Sequence, residues 1–194
     1  MLNSRAISEL LSRNSDKLCK RWYLMTPNGT LLAYSQPVDI NDLRKQAAIA
    51  AICWQEHQHQ DAARDYEAEV PGEQREDGER NSVHVLTIES ENSNIIMRQI
   101  QAQLLLVLEG GVPPRRAGFI KSITAECADG TRLLPNQKNG SSYATSTAVR
   151  DESVGKGAAN VLKLQRKKLD ALADVVLGDF ETTEFRMPQG STVF

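Results

Sequence analysis

Glu56-His57-Gln58-His59 sets two imidazoles and a carboxylate about one helical turn from Cys53, and these are the residue types that hold zinc. A closed site needs three or four converging ligands, and His84 is the only other histidine in the chain. The simpler reading is a histidine pair near a helix C-terminus, where a cation suits the helix dipole. Cys53 as a nucleophile would need a base and an electropositive, part-exposed setting. Its neighbours Ile49, Ile52 and Trp54 predict a packed thiol instead. Gly155-Lys156-Gly157 before a helix suggests a phosphate cradle, but the Gly-x-x-x-x-Gly-Lys-Ser/Thr pattern and an adjoining strand are both missing. Those glycines are read as leading into the last helix. Gly110-Gly111-Val112-Pro113-Pro114-Arg115-Arg116 could meet a proline-reading or acidic partner, and a plain linker explains it more simply. The Ser/Thr cluster at 141–147 offers hydroxyls for phosphorylation, as many loops do. No acid/base pair emerges, so the expectation is a non-enzyme with no cofactor and no metal.

The elements that would position these residues begin with a helix over about 4–14, where Ile7, Leu10 and Leu11 recur at helical spacing behind Ser4 as N-cap. Trp22–Met25 and Thr30–Tyr34 flank Thr26-Pro27-Asn28-Gly29, whose Pro fixes one turn dihedral and whose Asn-Gly accepts positive φ. That is a β-hairpin. A second helix is predicted over about 40–57, capped by Asp39 or Asn41. Leu43, Ala47, Ala51 and Trp54 share one side of it, and Ile49, Ile52 and Cys53 lie broadly on the other. From Ala47 through Trp54 no polar residue intervenes, so the helix needs cover all round.

Residues 58–81 are acidic, with Pro71-Gly72 at their centre, and predict a disordered loop. Strands follow at Val83–Ile88, Ile95–Arg98 and Leu104–Leu108. The last does not alternate, as befits a strand covered on both faces. Residues 110–153 read as a second insertion, with only a weak strand signal around Phe119–Ile123. A one-sided amphipathic helix is predicted over about 155–178, and a loose tail after it. The expected fold is a single α/β domain over 1–180, α-β-β-α-β-β-β-α. It has a five-stranded antiparallel sheet, the first and last helices on one face, the second helix on the other, and a flexible stretch over 181–194.

Composition narrows the function classes. The chain has 194 residues, 40% apolar and only 5% aromatic, with a formal net charge of -2. Near-balanced charge argues against a nucleic-acid footprint and against a polybasic membrane anchor. Three scattered cysteines without a CxxC pair suit reduced thiols. Nothing predicts a signal peptide, a membrane span, a myristoylation glycine or a prenylation cysteine. Any membrane address is therefore expected from a partner, without direct insertion.

Met1-Leu2, Gly29-Thr30-Leu31-Leu32-Ala33-Tyr34-Ser35, Asp39, Arg44, Ala47-Ala48-Ile49-Ala50 and Trp54 together resemble the roadblock subunit of the Ragulator complex. That is the late endosomal and lysosomal adaptor for MAPK and TOR signalling, whose fungal counterpart is the EGO complex. Gln101-Ala102-Gln103-Leu104-Leu105-Leu106 and Val154-Gly155 extend the likeness, which covers about 1–56, 82–109 and 154–180. The stretches 58–81 and 110–153 depart from the compact family pattern. The resemblance implies a roadblock/longin-like fold and a heterodimer with a second roadblock-type subunit, wrapped by a lipidated membrane-anchor subunit. It also implies help in recruiting Rag GTPases at the lysosomal or vacuolar membrane, within a complex linked to guanyl-nucleotide exchange.

The expected partner-binding residues are Leu43, Arg44, Ala47, Ala48, Ala51 and Trp54 of the second helix, with Val83, His84, Val85 and Leu86 of an exposed edge strand. Trp54 fits an interface or a core equally, and the pattern leaves open which side of the helix faces outward. Ala51→Glu is expected to abolish pairing or folding. The rival readings are a self-pairing roadblock protein acting as a dynein light chain or small-GTPase regulator, and a small Cys/His hydrolase.

Overall fold

The computed structural model describes residues 2–67, 83–112, 121–133 and 152–188. In chain order the elements are α1 (Ser4–Arg13), β1 (Cys19–Met25), β2 (Leu31–Tyr34), α2 (Ile40–Glu67), β3 (Val85–Glu89), β4 (Ser93–Gln101), β5 (Leu104–Gly111), β6 (Ser122–Glu126), β7 (Arg132–Leu133) and α3 (Glu152–Thr182). All seven strands form one sheet in the order β2-β1-β5-β4-β3-β6-β7, and every pairing is antiparallel.

Strand alternation sorts the core into two layers. Trp22 and Leu24 of β1 and Leu104, Leu106 and Leu108 of β5 face α1 and α3, meeting Ile7, Leu11, Leu169, Ala173 and Val176. Tyr23 and Met25 of β1 and Leu105 and Val107 of β5 point the other way, onto Leu43, Ala47, Ala50 and Trp54 of α2. The unbroken apolar run of β5 is explained by this: it is buried on both faces in the middle of the sheet. The turn of the first hairpin closes with Gly29 N–H donating to the Thr26 carbonyl at 2.9 Å, and Gly29 takes φ 88°. That left-handed backbone is what calls for glycine, and the turn packs on α2, where a Cβ at this position would meet that of Ala51 at an ordinary contact distance of 3.4 Å.

On the opposite face a buried amide stitches α3 to the sheet. Gln165 Nε2 donates to the carbonyls of Leu18 at 2.9 Å and Gly111 at 2.7 Å, while its Oε1 accepts from Asn94 Nδ2 at 2.9 Å. A side chain on Gly110 would run into this amide, its Cβ falling 2.1 Å from Gln165 Nε2. Gln165→Leu strands the Asn94 amide and the Gly111 carbonyl in the interior. At roughly 1–3 kcal/mol for each stranded group, a loss of about 2–4 kcal/mol is expected, read as a lowered urea midpoint at unchanged slope.

The architecture and the layer assignment match expectation, and five of the strands keep the predicted order. The differences are local. α1 is capped by Asn3, whose Oδ1 accepts from Ala6 N–H, and not by Ser4. β1 begins at Cys19, three residues before the predicted start. α2 runs on to Glu67, into the stretch expected as an acidic loop; residues 68–82 lie outside the described residues. The segment 110–153 contributes β6 and β7, while 113–120 and 134–151, including the Ser/Thr cluster, lie outside the described residues. α3 starts at Glu152, so Gly155 and Gly157 sit within the helix.

The stretch after the last helix is docked as far as it is described. Phe185 and Met187 pack on the α1/α3 core, and the Phe185 ring lies 4.9 Å from that of Phe180. Gln101 holds the same stretch through Nε2 to the Phe185 carbonyl at 3.1 Å and through Oε1 from Met187 N–H at 2.8 Å. Among the described residues no helix is long and apolar enough to cross a membrane.

Candidate partner-binding site

The apolar run of α2 divides cleanly in space. Leu43, Ala47, Ala50, Ala51 and Trp54 are buried against the sheet. Ile49 is 53% exposed and Ile52 57%, although both are large aliphatics that favour burial. Ala48 is exposed beside them, flanked by exposed Arg44, Lys45, Gln55 and Glu56. A helix filled on one side thus carries a second, uncovered apolar patch bordered by charge.

Several predicted contact residues are therefore placed elsewhere. Leu43, Ala47, Ala51 and Trp54 fill this chain's own core, because the Gly29 turn and the sheet already occupy their side of the helix. Arg44 and Ala48 remain on the surface, and Ile49 and Ile52 join them as the groups the sequence reading left out of the contact set. The all-round apolar character of the helix is legible in the sequence, but which side faces outward depends on how the sheet packs. Ala51→Glu drives a charge into the core, so its expected effect on pairing is through unfolding.

The edge-strand expectation is corrected outright. Val83, Val85 and Leu86 are buried and His84 is half-buried. β3 is no edge: β4 pairs with it on one side and β6 on the other, from Val85↔Glu126 to Glu89↔Ser122. His84 N–H extends this ladder, donating to the Glu126 carbonyl at 2.8 Å.

His84 also adjoins a charged cluster. Arg98 pairs with Asp170 at 2.9 Å and Asp174 at 3.3 Å, and Arg166 pairs with Asp170 at 3.3 Å and Glu126 at 3.2 Å. Burial, then the Arg98 and Arg166 charges, push the His84 pKa below its ordinary 6.5, against a smaller opposing pull from Asp170. The unfolded chain then binds more protons than the folded one as pH falls through that value, so His84 costs stability on acidification. His84→Gln is expected to flatten the loss of stability between about pH 7 and 5 that wild type shows in urea titrations.

The other chemistry-bearing residues are spread out. The His57 ring Nδ1 lies 2.8 Å from the Cys53 carbonyl, one turn back within a helix that continues for ten more residues, so His57 is not at a helix end. Burial raises the Cys53 thiol pKa, which opposes a thiolate nucleophile. Burial likewise raises Cys19 to about 11. Among the described residues no group of three or more His, Cys, Asp or Glu is placed to hold a metal ion. Beneath α2, Arg21 lies 3.4 Å from Glu109 and donates to Gln46 Oε1 at 2.8 Å, tying β1, β5 and the helix together. The Tyr23 hydroxyl and Trp54 Nε1 are buried without a hydrogen-bond partner.

Among solved structures, Myxococcus xanthus MglB is similar to the chain at TM-score 0.53 and 12% identity, over 93% of this chain and 99% of that one. This is a roadblock-class fold. A structure described as MglB with a tetrameric arrangement is similar at TM-score 0.47 and 12% identity, over 89% of this chain and 88% of that one. A Roadblock/LC7 domain from Streptomyces avermitilis is similar at TM-score 0.41 and 11% identity, over 55% and 76% of the two chains. At these identities the likeness to the roadblock class is one of architecture. No family model and no curated protein matches the chain.

Proposed function

We propose that this roadblock-class chain is a non-catalytic scaffold that pairs with a second roadblock-type subunit through the outward face of α2. In this reading the pair helps recruit Rag-type small GTPases in nutrient-dependent TOR signalling. A lipidated partner subunit holds it peripherally on the cytoplasmic face of the late endosome, lysosome or vacuole. The carrying observation is the pair Ile49 and Ile52, left in water by a helix whose opposite face is full. The Ragulator-like residues at 29–35 and 44–54 support the finer identity.

The test is purification of the tagged chain from its own cells, with identification of the co-purifying chains. A second roadblock-type chain, a lipidated subunit and a Rag-type GTPase at matched amounts are expected. A chain that elutes alone as a monomer contradicts the reading.

One observation favours a second reading, self-pairing. Place a two-fold axis between Ile49 and Ile52, with the helices antiparallel. Ile49 then meets Ile52 of the other copy, and Lys45 meets Glu56. Such a pattern is complementary to itself, as a two-fold interface must be. A stable homodimer of the isolated chain on sizing with light scattering favours this form, and a monomer that pairs only on co-expression favours the heterodimer.

A further inference from the structure

The stretch that follows α3 sits on the molecule as a bound peptide would. Phe185 and Met187 turn onto the α1/α3 core, while Glu184, Arg186 and Pro188 stay exposed, the alternation of an extended segment. Phe185 N–H donates to the Phe180 carbonyl at 2.8 Å, and the rest of the polar hold comes from one side chain. Gln101 donates to the Phe185 carbonyl and accepts from Met187 N–H, so its amide reads the backbone of two residues and ignores their side chains. A break in the β4 register aims it there. Gln99 stands opposite Leu105 and Gln101 opposite Leu104, so one residue is extra. Ile95 and Met97 pack on the α2 side, where an unbroken strand would also send Gln101; the bulge turns it to the helical face instead. Ile100 beside it and Leu104 opposite belong to the same core cluster as Phe180.

We propose that this end of the α1/α3 layer is a groove for an extended peptide with two apolar side chains one residue apart, closed in the single chain by its own Phe185-Arg186-Met187, and that such a segment of a partner subunit replaces it. The inference rests on the reading that the chain works inside an assembly. The seated segment states the chemistry of the occupant. Backbone hydrogen bonds supply the hold and alternate side chains the selectivity, as in other sites that take extended peptides. Arg186 points away from the groove, so the middle position is free to vary. The cover is also easy to lift. Phe185 and Met187 are only half-buried, and the turn into the segment passes through Glu184 at φ 51°, a left-handed backbone that costs a non-glycine residue.

The experiment measures peptide binding to the full chain by fluorescence polarisation. Phe185→Ser with Met187→Ser empties the groove, and the probe is a labelled peptide of residues 182–188, Thr-Thr-Glu-Phe-Arg-Met-Pro. A control peptide of the same composition sets Phe and Met side by side. The emptied chain is expected to bind the probe, and wild type to bind it at least about tenfold more weakly, because its own tethered segment competes at high effective concentration. Gln101→Ala in the emptied chain removes two hydrogen bonds and is expected to weaken binding about tenfold. The control peptide should lose a similar factor. In wild type, the Met187 amide is expected to exchange with solvent at least about a hundredfold faster than the amides of buried α3 residues such as Ala173, since the segment opens by itself.

A folded, emptied chain that ignores the probe, or takes both peptides equally, overturns the proposal. So does a Met187 amide in wild type that exchanges only with the core, a result that stands even if the emptied chain fails to fold. Replacement by a partner is read in the assembly purified from the protein's own cells, where Met187 should oxidise faster than in the free chain. Equal or slower oxidation there overturns the exchange. Peptide binding is read on the single chain, so the two ideas fail separately. A chain that works alone yet binds the probe removes the assembly reading and keeps the groove.

Discussion

Ile52→Asp is expected to leave the chain folded and to abolish its pairing. The side chain is 57% exposed, so little apolar contact within the chain is lost, and aspartate differs little from isoleucine in helix propensity. Stability should move by no more than about 0.5 kcal/mol, the ordinary range for a surface substitution. In a pairing centred between Ile49 and Ile52, the same change replaces an apolar contact with a carboxylate set against the partner's isoleucine. Loss of a central anchor of this kind costs about 2–4 kcal/mol of binding, or roughly 30- to 1,000-fold in affinity. Sedimentation and urea melts on one preparation read both quantities. Retained affinity in a folded mutant removes the outward face of α2 from the interface.

Trp54→Ala, two residues along the same helix, should behave in the opposite way. Trp54 is 0% exposed and packs among Tyr23, Met25, Leu86 and Met97. Truncating a buried tryptophan leaves a cavity that the surrounding side chains refill only in part, at about 3–5 kcal/mol. Against the roughly 5–15 kcal/mol that holds a typical domain together, this is a large share of the total. The urea midpoint should fall steeply, and pairing should fall only as the folded fraction does. A Trp54→Ala chain of wild-type stability that fails to pair would instead return this side chain to the interface. The indole nitrogen has no hydrogen-bond partner, so Trp54→Phe is expected to cost far less than Trp54→Ala.

The contrast between Ile52 and Trp54 shows where sequence reasoning succeeded and where it stopped. Local chemistry was enough for the first hairpin, because Pro27, Asn28 and Gly29 carry their turn with them. The unbroken apolar run of β5 was enough to place it at the centre of the sheet. Periodicity was enough to see that α2 is apolar on every side. It could not say which side meets the sheet, since Leu43–Trp54 and Ile49–Ile52 are both plausible faces until the Gly29 turn and Tyr23 take one of them.

The largest miss was long-range. β6 has one large aliphatic and only five residues of polar–apolar alternation, Ser122-Ile123-Thr124-Ala125-Glu126, so its own residues give no more than a weak strand signal. It becomes one through the β3 ladder about forty residues earlier in the chain, and that pairing is what removed the predicted edge. The extension of α2 was missed for a related reason: Gln, Asp, Ala, Arg and Glu at 58–67 are acceptable helix formers, and only their lack of apolar content suggested a loop. The docking of Phe185 and Met187 likewise depends on Gln101, a partner too distant in sequence to be read from the tail itself.

Side-chain oxidation footprinting tests the central claim most directly, comparing the chain alone with the assembly it forms in its own cells. Ile49 and Ile52 should lose most of their reactivity in the assembly, while Val175 on the outer side of α3, 55% exposed in the single chain, reports on an unrelated surface. If the two isoleucines stay as reactive in the assembly as in the free chain, the outward face of α2 is not where this protein meets its partner.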